Sequence, residues 1–203
     1  MIRAKKSLGQ NFLIDRNILE KIVSITEIKD KTILEVGPGT GNLTSFILKN
    51  NPKKMYAVEK DKDLSANLIE NYKNQLTLIN DDILNIDENL ISSEKLIVFG
   101  NLPYNISTEI LSRWILNLKD NFWFEHLILM FQKEVANRII ADFNTSTYGR
   151  LSILANWKLD IEKICDIKPE AFSPKPKIDS SLLFFTPKKK YFKIKNPKNL
   201  EKI

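Results

Sequence analysis

The sequence has little of several residue types that mark particular classes of protein. Its single cysteine, Cys165, permits no disulfide within the chain, and its single histidine, His126, gives no Cys/His cluster for a metal. The longest uninterrupted apolar run, from Leu127 to Phe131, is too short to cross a bilayer, and residues 1–6 contain no apolar signal segment. We therefore expect an intracellular, cytoplasmic protein with no membrane role and no metal centre.

Net charge is also absent from most of the chain. Seven of the 31 Lys and Arg residues, but one of the 25 Asp and Glu residues, lie in residues 186–203, which leaves 24 of each in residues 1–185. The formal excess of +6 therefore belongs to the last 18 residues. A lysine-rich tail of this kind is more often a solvated linker than a binding site. The candidate contacts to a polyanion are local basic residues: Arg3, Lys5, Lys6, Lys175 and Lys177.

The chain is long enough to bury the core of one sizeable domain. Four apolar segments each end at glycine or polar residues, and a helical pattern follows the first, second and fourth of them, which predicts an α/β fold with a mostly parallel sheet and helices on both faces. These segments are 32–36, 55–59, 76–80 and 96–99. Segment 126–131 predicts a further buried strand, and segments 156–167 and 181–185 predict a late antiparallel hairpin. Ligands bind at the carboxyl ends of the strands in such sheets.

A glycine-rich turn follows the first predicted strand, in the arrangement that binds nucleotides. A dinucleotide motif G-x-G-x-x-G that begins at Gly37 requires a third glycine at position 42, where this sequence has Asn42. The actual pattern is G-x-G-x-G from Gly37 through Gly39 to Gly41, with Glu35 just ahead. No Gly-Lys-Ser/Thr follows, so the turn is not a phosphate loop. This variant favours S-adenosylmethionine as the cofactor.

Acidic residues follow the second and third predicted strands. Glu59 lies about twenty residues beyond the glycine-rich turn, where a carboxylate can accept hydrogen bonds from both ribose hydroxyls. Asp81 and Asp82 follow the third strand, and either carboxylate there can accept from the adenine amine of the cofactor, although turn chemistry explains such a pair equally well. Asp61 and Asp63 are typical of a helix start.

The fourth strand leads into Asn101-Leu102-Pro103-Tyr104, which we interpret as the catalytic loop. The N6 nitrogen of adenine is a poor nucleophile until acceptors hold its two hydrogens. Asn101 offers a side-chain oxygen and Leu102 a backbone carbonyl. Pro103 lacks an N–H and fixes φ, and Tyr104 can stack on a base. Alone, such a tetrapeptide is more often a turn; the cofactor motif upstream favours catalysis.

The remaining segments carry weaker signals. Residues 7–13 form an irregular polar segment ahead of a helix capped by Asp15, and composition alone permits either a strap over a ligand or a frayed terminus. We expect His126 at a strand end rather than in catalysis, and the tryptophans Trp114, Trp123 and Trp157 in the core or at an interface.

Seven segments together resemble the ribosomal RNA adenine N6,N6-dimethyltransferases, most closely the bacterial small-subunit branch. They are Ser7 to Leu13, Glu35 to Thr44, Val58 to Asp61, Asn101 to Ser107, Phe131 to Arg138, Tyr148 to Ser152 and Phe172 to Ser180. The resemblance runs from Lys6 to about Leu183. It implies a Rossmann-like class I methyltransferase fold that transfers methyl groups to adenosine N6 in small-subunit ribosomal RNA within a pre-ribosomal particle, and a monomer.

The resemblance also implies roles for particular residues. The cofactor contacts of the family fall on Asn11, Leu13, Gly37, Glu59, Asp82 and Asn101. The target adenine is expected between Tyr104 and Phe172, with its amine on Asn101 and on the Leu102 carbonyl. Leucine at 102 is similar to the small-subunit enzymes, whereas resistance methylases of large-subunit RNA usually have isoleucine. The latter class remains an alternative, as does a non-catalytic RNA-binding or ribosome-assembly module on the same fold.

The resemblance further predicts the domain organisation. We expect residues 1–185 to form the methyltransferase domain and residues 186–203 to be the start of a small C-terminal domain. Members of the family continue past the proline-rich segment 174–176 into such a domain, whereas this sequence ends at Ile203.

Overall fold

The computed structural model describes residues 4–5, 8–118, 121–196 and 199–200, which form α-helices and two β-sheets. The strands are β1 (Phe12–Leu13), β2 (Thr32–Val36), β3 (Lys54–Val58), β4 (Thr77–Ile79), β5 (Leu96–Asn101), β6 (Phe124–Gln132), β7 (Leu159–Ile167), β8 (Phe172–Ser173) and β9 (Ser180–Pro187). The helices are α1 (Arg16–Val23), α2 (Asn42–Lys49), α3 (Lys62–Tyr72), α4 (Ser107–Asn117), α5 (Lys133–Ile139) and α6 (Arg150–Lys158).

The main sheet has the strand order β4-β3-β2-β5-β6-β9-β7. Pairing is parallel from β4 through to β6, and β9 lies antiparallel between β6 and β7. The predicted α/β fold with a mostly parallel sheet and a late antiparallel pair is therefore confirmed. The parallel strands bring their carboxyl ends to one edge, where the predicted site residues meet.

The central strands are apolar because both of their faces are covered. Alternate residues of a strand point to opposite faces. In β5, Leu96 and Val98 pack in a cluster with α4, α5 and α6, whereas Ile97 and Phe99 pack in a second cluster with α1, α2 and α3. Each residue of β2 is likewise buried. Burial on both faces explains the continuous apolar runs that the sequence shows at these strands.

One predicted boundary is wrong. The sequence predicts a strand over 156–167, but residues up to Lys158 belong to α6, a helix that the sequence pattern does not indicate. The helix is set by its first turn, where the Gly149 N–H donates to Ser152 Oγ at 3.0 Å. Leu151 and Leu154 then face the core at helical spacing. Tertiary packing thus extends the helix to the residue before β7.

The residues after β9 pack against α6. The Trp157 indole N–H donates to the Phe192 carbonyl at 2.7 Å, and Leu200 is buried in the cluster that contains Leu154. That residues 186–203 begin a separate small domain stays a prediction. Among the described residues, no helix combines the length and the apolar character needed to cross a membrane.

Candidate active site

A cleft opens at the carboxyl edge of the parallel strands and is bordered by the strap, which we define as residues 8–13. Most of the residues predicted for cofactor and target contacts line it. These are Asn11, Gly37, Gly39, Glu59, Asp82, Asn101, Leu102, Pro103 and Tyr104. The structure therefore brings together one site from residues spread over more than ninety positions of the chain.

The glycine-rich turn is closely packed beneath the strap. Gly37 and Gly39 have φ of 69° and 59°, in the left-handed region that favours glycine. A Cβ on Gly39 would lie 2.8 Å from the ring of Phe12 in the strap. The absence of a side chain at Gly39 thus lets the strap contact the turn directly.

Glu59 follows the end of β3, is 6% exposed, and holds the glycine-rich turn in position. Its Oε2 accepts from the Gly39 N–H at 3.1 Å and its Oε1 accepts from the Asp61 N–H at 2.8 Å. Burial raises the pKa of Glu59, and these backbone hydrogen bonds oppose that shift. A carboxylate has about four acceptor positions, so Glu59 can also accept from ribose hydroxyls.

Glu35 lies behind the turn rather than in the cleft. Its Oε2 accepts from Thr44 Oγ1 at 2.6 Å, and the side chain is fully enclosed. Burial raises the pKa of Glu35 to about 8. The Glu35 carboxyl is therefore mainly protonated at neutral pH. It lies under the N-terminal turn of α2 and stabilises the structure there.

Asp82 begins a short turn that follows β4. Its Oδ1 accepts from the Leu84 N–H at 3.0 Å and its Oδ2 accepts from Lys60 Nζ at 2.6 Å. Asp81 instead accepts from the Asp82 N–H and from Asn85 Nδ2. Both carboxylates border the cleft, so the turn chemistry expected for the pair is observed together with a position suited to binding.

Arg113 on α4 fixes the loop that carries Asp82. Its guanidinium donates to the carbonyls of Ile83, Leu84 and Ile86 at 2.7, 2.9 and 3.0 Å. It also forms an ion pair with Glu88. Sequence reasoning missed Arg113 because its partners lie 25–30 residues away and no motif marks the contact.

Asn101, at the end of β5, has a fixed side-chain orientation. Its Nδ2 donates to the Asn11 carbonyl of the strap at 2.7 Å. Because the amide nitrogen faces the strap, the amide oxygen faces away from it and is available as an acceptor. The Leu102 side chain is 1% exposed and packs beside Gly100. This buried leucine side chain anchors the loop.

Comparison with known proteins agrees with this geometry. The family model for ribosomal RNA adenine dimethylase matches residues 1–203. The chain belongs to this family. It is 68% identical over 202 residues to the ribosomal RNA small subunit methyltransferase A of Pelagibacter ubique, a match that covers the whole of this chain and 77% of the relative.

Solved structures extend the comparison. A dimethyladenosine transferase from Plasmodium falciparum is 30% identical with a TM-score of 0.75, covering 87% of this chain and 63% of that one. The 23S rRNA methyltransferase ErmE has a TM-score of 0.76 at 24% identity, covering 95% of this chain and 75% of that one. The ErmE likeness shows the fold alone. The resemblance to the dimethyltransferase family and the methyltransferase fold are confirmed.

The strap of this family member is held at both ends. In β1, Phe12 pairs with Ser173 and Leu13 pairs with Phe172 of β8. Ahead of the strap, Lys5 Nζ lies 2.8 Å from carboxylate oxygens of Asp61 and of Asp63. The strap is therefore the arrangement observed, rather than a frayed terminus.

Two predicted site residues do not reach the cleft. Phe172 is 1% exposed in the apolar cluster around α1, and Leu13 is 4% exposed in the same cluster. Tyr104 lines the cleft, whereas Phe172 does not. In the structure Phe172 packs in the core beside the paired strands β1 and β8, and its place opposite Tyr104 across a target adenine stays a prediction.

The predicted basic contacts are dispersed. Arg3 and Lys6 lie outside the described residues. Lys5 is engaged by Asp61 and Asp63, as described above. Lys175 and Lys177 are exposed in the loop between β8 and β9, where Lys175 Nζ lies 3.7 Å from a Glu170 carboxylate oxygen. A role of these residues in RNA binding stays a prediction.

Proposed function

We propose that the protein transfers methyl groups from S-adenosylmethionine to N6 of adenosines in small-subunit ribosomal RNA and yields N6,N6-dimethyladenosine. The observation that carries this proposal is the Asn101 amide, oriented by Asn11 and lying on the same sheet edge as Glu59 and the glycine-rich turn. The family match and the names of the relatives support the same reaction and substrate.

The residues of the loop supply orientation rather than a titrating base. The Asn101 oxygen and the Leu102 carbonyl would accept hydrogen bonds from the two N6 hydrogens, which favours a pyramidal nitrogen whose lone pair is free to take the methyl group. Each transfer would form one N–C bond, break one S–C bond and release one N6 proton to water. Pro103 has no N–H to compete for these acceptors. Positioning of this kind suffices because the cofactor supplies a methyl group already activated by a positive sulfur.

The cofactor side fits S-adenosylmethionine. The left-handed Gly37 and Gly39 line the cleft without side chains that would occupy it, Glu59 can accept from the ribose hydroxyls, and Asp82 can accept from the adenine amine. Asn11 and Leu13 would contribute through the strap. Leu13 would act by its backbone, because its side chain is buried.

We further propose that a pre-ribosomal small-subunit particle in the cytoplasm is the substrate and that the protein acts as a monomer. The relatives named for the small subunit and Leu102 support this choice over large-subunit RNA. A non-catalytic binding module has no physical need for an oriented amide beside a cofactor cleft.

Methyl transfer to purified ribosomal particles tests the proposal. Small subunits that lack the modification should accept label from S-adenosylmethionine as N6,N6-dimethyladenosine, identified by mass spectrometry of nucleosides, and large subunits should not. Label in the large subunit alone would favour the resistance class. Absence of label in both, with binding of NAD but not of S-adenosylhomocysteine by calorimetry, would overturn the proposal.

A further inference from the structure

Tyr104, the aromatic residue of the catalytic loop, is tied to a serine distant in the chain. Its hydroxyl lies 2.5 Å from Oγ of Ser180, 76 residues away, and Ser180 is fully buried. We propose that Ser180 is a positioning residue that holds the Tyr104 ring in the orientation needed to stack on the target adenine. This inference rests on the proposed function and assigns a role to a residue in β9.

Ser180 is itself rigidly placed. It begins β9, where its backbone pairs with Gln132 of β6 on one side and with Ile167 of β7 on the other. The residue before it is also fixed, because the Lys133 N–H donates to the Asp179 carbonyl at 2.9 Å. The position of the Ser180 hydroxyl is therefore fixed by β9, which lies between β6 and β7 in the sheet.

The residue after Ser180 is held by a separate network. Ser181 Oγ donates to Asp166 Oδ1 at 2.6 Å, and Asp166 forms ion pairs with Lys133 at 2.8 Å and with Lys163 at 2.7 Å. The two adjacent serines thus have different partners. Ser181 stabilises the strands, whereas Ser180 reaches the loop.

The contact is well placed to orient a ring. A tyrosine side chain turns about two torsions, and a hydrogen bond at the hydroxyl, the atom farthest from the backbone, restricts both while it leaves the ring faces free to stack. Burial raises the pKa of Tyr104, and the hydrogen bond to Ser180 opposes that shift. The hydroxyl is therefore uncharged at neutral pH.

A double-mutant cycle of methyl transfer tests the role. Tyr104→Phe keeps the ring and removes the hydroxyl, and Ser180→Ala removes its partner. Each should lower kcat about 3- to 10-fold, the effect of one lost hydrogen bond, with cofactor affinity unchanged. The double variant should be no slower than the slower single variant, because both substitutions remove the same contact. Independent, multiplying losses would show that Ser180 does not act through Tyr104.

Ser181→Ala is the matched control, since it removes a buried hydroxyl one position along the same strand. Any decrease in kcat that Ser181→Ala causes should multiply with the decrease that Tyr104→Phe causes.

A second measurement does not need activity. In protein labelled with 3-fluorotyrosine, Ser180→Ala should shift or broaden the Tyr104 fluorine resonance and Ser181→Ala should not. An unchanged resonance in Ser180→Ala would overturn the inference. Failure of the wild type to methylate RNA would count against the proposed function, while the resonance still decides the role of Ser180.

Discussion

The two sides of the cleft are held in place by different kinds of contact. On the cofactor side, Glu59 and Asp82 each accept from a backbone N–H two residues further along the chain and from a second group about twenty residues away, the Gly39 N–H and Lys60 Nζ respectively. On the target side, Asn101 and Tyr104 have partners 90 and 76 residues away, in the strap and in β9. The cofactor side is therefore assembled from the ends of neighbouring strands about twenty residues apart, whereas the target side also requires the strap and β9, which lie 76 to 90 residues away.

Arg113→Ala tests whether the cofactor side also depends on a distant contact. The substitution leaves Glu88 buried without its cation and removes donors from three loop carbonyls. Removal of one partner of a buried ion pair typically costs about 3–5 kcal/mol. We expect a loss of that order in the free energy of unfolding, measured in urea, and weaker binding of S-adenosylhomocysteine through displacement of Asp82.

Arg138→Ala on the exposed side of α5 is the matched control for this substitution. Equal stability of the Arg113→Ala and Arg138→Ala proteins would show that the Asp82 loop holds its position without α4. The cofactor side would then depend on contacts between neighbouring strand ends alone.

Asn101→Ala should give the next largest effect, on the target side. Without the amide oxygen the target amine has one acceptor, so we expect kcat for methyl transfer to fall about 100-fold, as for loss of one preorganised hydrogen-bonding group in other active sites. Cofactor affinity should fall less, because pairing of β1 with β8 still holds the strap. Labelled-methyl incorporation and calorimetry measure the two quantities. Asn117→Ala at the exposed end of α4 controls for loss of an asparagine.

Parts of the site that consist of short local patterns can be recognised in the sequence, and parts that depend on distant contacts cannot. The glycine-rich turn, Glu59 and the Asn101 loop were predicted because each is a short pattern at the end of an apolar strand. Arg113 and Ser180 were not, because their partners are fixed by packing between distant segments.

Helix α6 and the direction of the Phe172 side chain also depend on packing between segments that are distant in the sequence. Helix α6 was missed because its first turn depends on Gly149 and Ser152 rather than on a strong amphipathic pattern. Phe172 was expected in the cleft from the family resemblance, but pairing of β8 with the strap turns its side chain into the core. Local chemistry is visible in a sequence, whereas the direction in which a distant strand presents a side chain is not.

Glu35→Gln tests how the buried carboxyl behind the glycine-rich turn makes the stability of the protein depend on pH. The pKa of Glu35 is raised from 4.5 to about 8 in the folded protein, mainly by burial. Between these values the folded protein retains a proton that the unfolded chain has lost, so this group's contribution to stability is complete below pH 4.5 and is lost as pH rises toward 8. The wild-type free energy of unfolding should therefore fall with pH relative to the variant, with a slope of up to about 1.4 kcal/mol per unit.

Urea unfolding of both proteins at pH 5, 6.5 and 8 measures this difference, with Glu20→Gln on exposed α1 as the control. Parallel curves for the wild type and Glu35→Gln would mean that the Glu35 carboxyl is already ionised in the folded protein. The hydrogen bond from Thr44 would then outweigh the cost of burial.

Lys5→Gln should give the smallest effect, and it decides between two roles for one residue. The sequence predicts Lys5 as an RNA contact, whereas the structure pairs it with Asp61 and Asp63 beside the strap. Lys5 itself is half exposed, although Asp61 is buried, and ion pairs of an exposed ammonium contribute little and are screened by salt. If Lys5 restrains the strap, the rate at which the variant releases S-adenosylhomocysteine should rise at low salt, by a factor below about five. At about 1 M salt the variant and the wild type should release it at the same rate. Lys62→Gln, at the exposed start of α3, should release it at the wild-type rate throughout. An unchanged release rate with a shallower salt dependence of RNA affinity, by about one unit of log–log slope, would instead assign Lys5 to a phosphate contact and leave the strap to β1 and Asn101.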